Sequence, residues 1–133
     1  MGIETFEGIG KDVTSKYQQV SVETADQLTL IIMLYDGLIR FLSKAADKMR
    51  AGEVAYYECK KAQDIVFHLM NTLKKDGGEI SKNLLSIYFF IYKQTVMANM
   101  ERNARRIEEI LPVVREIKSG WEELRSKQKG KGG

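Results

Sequence analysis

The chain reads as all-α: an antiparallel four-helix bundle preceded by a short N-terminal helix or extended lead-in segment. Three observations predict this. Apolar residues recur at spacings of three and four along four successive stretches, the signature of helices with one buried side. A single proline stands among 133 residues, so long helices meet few breaks. The connections between the stretches are short, which makes consecutive helices antiparallel neighbours. A length of 133 residues suits one compact domain. Hydrophobic residues at 44% supply a core, and charged residues at 29% supply a solvated exterior.

The organisation predicted is a lead-in over 1–23, a bundle over 24–127 and a flexible tail over 128–133. In the lead-in, Ile3, Phe6 and Ile9 repeat every three residues ahead of Gly10, and "KYQQVSVET" follows as an extended stretch. Thr24 with Gln27 three residues on fits a capping box, in which two side chains satisfy free amides at a helix start. The first helix runs from there to about Arg50, where "AGE" ends it. The second covers about 53–75, with Ala55, Cys59, Ala62, Val66, Leu69 and Leu73 as its stripe. "KKDGG" closes it, two lysines suiting the negative helix end and Gly77 or Gly78 a left-handed cap.

The third helix starts near Glu79 and contains "SIYFFIY", a run that on propensity alone resembles a buried strand. A lone strand has nothing to pair with, so helix is the reading. Asn103 caps the fourth helix, about 104–127, whose stripe is Ile107, Ile110, Leu111, Val114, Ile117, Trp121 and Leu124. Pro112 falls inside it and is expected to kink it or mark a break.

The first helix carries more apolar residues than a bundle position needs. One stripe is Leu28, Tyr35, Leu38, Leu42, Ala45 and Met49; a second is Ile31, Leu34, Phe41 and Ala45, with Ile32 and Ile39 between. About three positions in seven suffice for a bundle helix. Either the helix is covered on most sides, or the excess receives a helix from another protein. Both readings stay open on residues alone.

Several function classes are excluded. The net charge of +3 resides in Lys127, Lys129 and Lys131; the remainder balances 18 basic against 18 acidic residues. Arg102, Arg105 and Arg106 interleave with Glu101, Glu108 and Glu109. That is no nucleic-acid footprint, which needs clustered cations on phosphates. No apolar run approaches the ~20 residues of a membrane span, so no membrane insertion is expected. The N-terminus lacks a secretion signal and the one cysteine, Cys59, precludes an internal disulfide, which together predict a cytoplasmic protein. His68 is the only histidine; with Asp64 it makes at most two ligands, too few for a metal site. No phosphate loop is present, and no nucleophile stands with a base, so neither a cofactor nor catalysis is expected.

Several segments together resemble the FliS family, the flagellar secretion chaperones. They are Tyr17, "TADQLTLIIMLYDGLIRFL" (24–42), "KAQDIVFHLMNTL" (61–73), "GGEISKNLLSIY" (77–88), "MAN" (97–99) and the late Trp121. Two departures stand out: Gln27 occupies the first helical turn where the family commonly has proline, and Pro112 falls where relatives carry a plain helix former. The resemblance implies a cytoplasmic export chaperone that binds the disordered C-terminal segment of flagellin. It would prevent premature polymerisation and deliver flagellin to the type III export apparatus, with export components or regulators as further partners. The implied partner wraps the bundle as helices and extended stretches. The rival reading is a homodimeric structural bundle without chaperone activity.

Under the family reading, the candidate partner-binding residues on the first helix are Ile31, Leu34, Tyr35 and Leu38. On the second they are Ala62, small enough for close backbone approach, with Ile65, Val66 and Leu69. Asp36, mid-helix beside Gly37, is either a partner contact or a surface ion pair with Arg40; Asn99 is a half-buried amide able to bond to the lead-in or the partner. Tyr17 is the expected anchor of the lead-in, which is expected to cover the groove when no partner is bound.

Overall fold

A computed structural model of the chain describes residues 25–73 and 77–132, with side chains over 27–73 and 77–128. Four helices make up the described architecture: α1 Ala25–Arg50, α2 Tyr56–Asn71, α3 Gly78–Glu101 and α4 Ala104–Gly132. They pack in a ring, α1 on α2, α2 on α3, α3 on α4 and α4 back on α1. Cross-links fix the directions. Lys48 near the end of α1 meets Glu58 in the first turn of α2 at 2.8 Å. Arg50 grips Glu108 early in α4 with both prongs of its guanidinium. Arg106 on α4 donates to Gln94 late in α3 at 3.0 Å. Each neighbouring pair is antiparallel, as an up-down bundle requires.

The expected stripes form the core. Leu28, Tyr35, Leu38, Leu42, Ala45 and Met49 of α1 are buried, and so are Ile31, Ile32 and Ala46 beside them. Thus α1, flanked by α2 and α4, is covered through most of its circumference, which uses up much of its apolar excess. In "SIYFFIY", Ile87, Tyr88 and Ile91 point inward while Phe89 and Phe90 point out. A helical turn therefore splits a run that a strand would have sent alternately to two sides.

Helix ends follow local hydrogen bonding. Gly52 takes φ 77, with Glu53 N–H bonded to Lys48 C=O at 2.8 Å and Gly52 N–H to Met49 C=O at 3.0 Å. This double closure needs a left-handed residue and halts α1, so α2 begins at Tyr56 rather than near residue 53. At its other end α2 stops at Asn71, short of the expected 75, where Thr72 Oγ1 bonds back to Leu69 C=O at 2.6 Å. Gly78 does adopt φ 67, but as the first residue of α3 rather than as a cap on α2. Arg102, with φ 53, closes α3 while Asn103 N–H reaches Ala98 C=O at 3.0 Å. Asn103 Oδ1 then accepts from Arg105 N–H at 3.1 Å, the expected cap of α4. No break occurs at Pro112: α4 runs through it with the ring exposed. The helix also continues past residue 127 to Gly132, with Gln128 buried. Thr24 and the rest of the lead-in lie outside the described residues.

Across the ring's diagonal, Tyr35 of α1 and Tyr88 of α3 join hydroxyl to hydroxyl at 2.7 Å inside the core. Their rings are tilted by 56° with centroids 6.5 Å apart. Burial pushes the Tyr35 phenol up to about 12, against the smaller pull of hydrogen bonds with Tyr88 and Trp121. The folded state thus keeps a proton that the unfolded chain releases near pH 10. The stability this supplies is intact below pH 10 and is lost as pH rises towards 12, at up to about 1.4 kcal/mol per pH unit. Urea titrations of parent and Tyr35→Phe at pH 8, 10 and 11 should show the variant about 1 kcal/mol less stable at pH 8. The gap should close as the medium becomes alkaline.

Candidate functional site

Once the core is filled, a set of large apolar side chains remains outside it, gathered along the two flanks of α2. On α1, Leu30, Leu34, Gly37 and Phe41 recur at spacings of four, three and four, an edge displaced by about one position from the buried stripe. Leu30 is exposed and Leu34 and Phe41 are half-buried, with Met33 beside them at 63% exposure. The facing edge of α2 presents Tyr57, Lys61 and Ile65 at spacings of four. Phe41 meets Tyr57 edge-on, centroids 6.2 Å apart. Arg40 lies 5.2 Å above the Phe41 ring and Lys61 5.6 Å above Tyr57. Cations over ring faces are drawn to the π-electron density and place charge beside these exposed aromatics. Gly37 lets the two helices come close here: a Cβ placed on it would stand 3.2 Å from Ile65 Cδ1.

The other flank of α2 faces α3. Phe67, 48% exposed, packs on Tyr92 with centroids 5.0 Å apart. Leu85 and Phe89 continue the Tyr92 edge along α3 at helical spacing, and Phe89 is 57% exposed. Lys60 borders this side, its ammonium held above the usual lysine range first by Asp64 at 3.0 Å and more weakly by Tyr56 and Tyr92. Contiguous exposed aromatics rimmed by charge mark contact surfaces rather than ordinary exterior.

The sequence-predicted residues divide. Leu34 and Ile65 lie on the α1–α2 seam, partly exposed. Ile31, Tyr35, Leu38, Ala62, Val66 and Leu69 are inside the bundle. In this state they have little or no surface to offer a partner, because the edge available on α1 is the one through Leu30 and Phe41. Asp36 is exposed but turns to α4, where it binds Lys118 at 2.5 Å; Arg40, the partner expected for it, sits on Phe41 instead. Asp36 raises the Lys118 ammonium pKa, yet such surface pairs contribute at most about 1 kcal/mol. Asn99 is partly buried near the end of α3. Tyr17 lies outside the described residues. Phe41 stood in the second stripe of the sequence; Tyr57, Phe67, Leu85 and Phe89 had no such mark. Their signal is subtler: each neighbours a buried stripe within one helical step.

Reactive groups do not gather here. Among the described residues no three His, Cys, Asp or Glu side chains come together to hold a metal. His68 is exposed, and Asp64 pairs with Lys60 rather than with it. Cys59 is buried, which pushes its thiol up to about 11, far from the thiolate a nucleophile needs. No described helix is long and apolar enough to cross a membrane.

Comparison with known proteins agrees on one family. The family model described as Flagellar protein FliS matches residues 10–128, beginning ahead of Tyr17 and taking in α1 to α3 and most of α4. The flagellar secretion chaperone FliS of Vibrio cholerae is 31% identical over 115 residues, covering 81% of this chain and 85% of that one. The protein of the same description from Salmonella typhimurium is 32% identical over 122 residues, with 84% and 88% covered. That from Bacillus subtilis is 29% identical over 120 residues, with 88% and 90% covered.

The Gly37 contact yields a stability prediction. The atom opposing an added methyl is the tip of a half-exposed isoleucine, which can rotate away, whereas glycine inside a helix costs about 1 kcal/mol against alanine. Gly37→Ala should therefore stabilise the fold by roughly 0.5 kcal/mol in urea denaturation, while raising the floor of the α1–α2 seam.

Proposed function

The chain belongs to the FliS family of flagellar proteins, and from that premise we propose that it is a cytoplasmic, non-enzymatic export chaperone for the C-terminal segment of flagellin. The observation that carries this reading is the pair of apolar faces flanking α2. A filament subunit's end segment has an apolar stripe whose proper partners exist only in the filament. Free in the cell, such a stripe invites premature polymerisation. A pre-folded bundle presenting equivalent apolar faces satisfies the stripe one-to-one without offering a surface for growth, and a chain so held is competent for delivery to the type III export apparatus.

The geometry constrains how one segment occupies both faces. An amphipathic helix seated along Leu34, Phe41, Tyr57 and Ile65 presents its stripe to the α1–α2 seam. To reach Phe67, Phe89 and Tyr92 the segment passes over α2, about 10–12 Å across with its side chains. Roughly four extended residues cover that distance. Ordering a disordered segment costs about 2–5 kcal/mol or more, which one small face offsets poorly and two offset together. The lead-in, with Ile3, Phe6, Ile9 and Tyr17, is apolar enough to cover the α1–α2 seam in the partner's absence, and the chain continues from it into α1, whose sixth residue is Leu30.

Calorimetric titration of a flagellin C-terminal peptide tests the reading. A peptide of roughly 40 residues allows two helical stretches of about 15 residues and an extended link. One-to-one binding with a negative heat-capacity change is expected. Ile65→Asp and Phe41→Ala should each weaken it at least about tenfold, or 1.4 kcal/mol, and Gly37→Ala should weaken it without loss of stability. No heat at several temperatures, together with a concentration-dependent dimer that the peptide leaves intact, would establish the homodimeric bundle instead. Hydrogen exchange tests the lead-in: residues 3–20 should lose protection when the peptide binds, and equal exchange in both states refutes a cover.

A further inference from the structure

At the end of the bundle where α1 finishes and α4 begins, a depression of about 320 Å³ is lined by Met49, Arg50, Arg102, Asn103, Ala104 and Arg105. Its three guanidinium groups come from three places in the chain: the last residue of α1, the left-handed closure of α3 and the first turn of α4. They are not equally engaged. Arg50 holds the Glu108 carboxylate through Nε and Nη2. Nearby, Arg106 is taken up by Glu101 at 2.8 Å and by Gln94. Arg102 and Arg105 are exposed and take part in no ion pair among the described residues. The arginines of this corner face Asp47, Glu101, Glu108 and Glu109, so it has no surplus of charge; what it offers is two guanidinium forks, those of Arg102 and Arg105, outside any ion pair among the described residues.

We propose that this corner is a binding site for carboxylates presented by an acidic segment of a protein partner. The guanidinium fork matches a planar carboxylate with two parallel hydrogen bonds, and Arg50 already holds one in that manner at the wall of the depression. Met49 lines the depression beside the arginines, and arginine stems can cover such apolar surface while their heads stay wet. Asn103 Oδ1 is committed to the Arg105 amide at 3.1 Å, so it does not draw the guanidinium groups onto itself. Arg102 holds φ 53, a conformation that glycine reaches at lower cost. The chain thus carries a guanidinium at a place where local geometry favours no side chain at all.

Carboxylates suit the corner better than a phosphate backbone does. The glutamates bordering these two cations, Glu101, Glu108 and Glu109, repel a continuous polyanion, which draws its affinity from many neutralised phosphates. A flexible acidic segment can place single carboxylates in the arginine forks and keep its backbone clear of the glutamates.

The test uses the full chain and a tetraglutamate peptide, N-acetylated and C-amidated, followed through the arginine side-chain Nε–H signals by NMR. The signals of Arg102 and Arg105 should shift saturably, and affinity should fall several-fold between 50 and 200 mM salt, as screening requires. An Arg102→Gly/Arg105→Gln variant should lose at least tenfold in affinity. Its melting temperature should be no lower than the parent's, since glycine suits the left-handed seat; Arg105→Gln alone should show a partial loss on an unaltered backbone. Undiminished peptide binding by the double variant overturns the site. Inorganic phosphate shifting the same signals as strongly shows a site for free anions, and tighter binding of a short single-stranded RNA shows a nucleic-acid contact. Each of these results refutes the proposal, whatever becomes of flagellin binding at the apolar faces.

Discussion

Two phenol oxygens 2.7 Å apart in the middle of the bundle set the register on which the rest depends. Apolar packing alone is permissive: sliding one helix by a turn, about 5.4 Å, exchanges one aliphatic contact for another of similar worth. A buried hydroxyl is not permissive, because leaving it without a partner costs about 1–3 kcal/mol. Tyr35 and Tyr88 belong to helices that lie across the diagonal, so their bond ties α1 to α3 directly. The helices between them, α2 and α4, must fit the spacing so fixed. Trp121 of α4, buried in the same core, also pulls the Tyr35 phenol downward, which brings a third helix into the same arrangement.

With register fixed, the four seams of the ring acquire different characters. The α1–α4 seam is edged by ion pairs, Asp36 with Lys118 and Arg50 with Glu108. The α3–α4 seam has Arg106 bridging Gln94 and Glu101. The two seams of α2 instead carry Phe41 on Tyr57 and Phe67 on Tyr92. The bundle is therefore sided: α4 closes it with charge, and α2 is bordered by aromatic surface. Buried Ala62 and Cys59 help here. Small side chains on the inner stripe of α2 let the helix lie deep, leaving its flanking rings to make the visible surface.

The sequence made the architecture legible because periodicity encodes it directly. The stripes of α1 and α4 were readable residue by residue, and Gly52 and Asn103 marked real helix boundaries. The candidate site was less legible, for a geometric reason. Adjacent stripe positions on a helix differ by 40–60° of rotation, so Ile31, Tyr35 and Leu38 are as apolar as Leu30, Leu34 and Phe41. Only the placement of α2 and α4 decides which set is inside. Asp36 illustrates the same limit: Arg40 is its neighbour in sequence, but Lys118, 82 positions away along the chain, is its neighbour in space. Thr72 and Arg102 ended helices through a hydroxyl and a left-handed turn that composition does not announce.

The position of α2 between two aromatic seams bears on how a bound chain would leave. A segment held on both flanks of a 16-residue helix is a bivalent ligand. Once one half is seated, the other meets its face at the effective concentration set by the short link over α2, of millimolar order. Residence is then long although each half alone is weak. The same arrangement has a defined weakness under traction. A pull applied from one end breaks the two halves in succession rather than together, so the barrier met at each step is that of a single seam. A carrier built in this manner is retentive towards diffusion and yielding towards force.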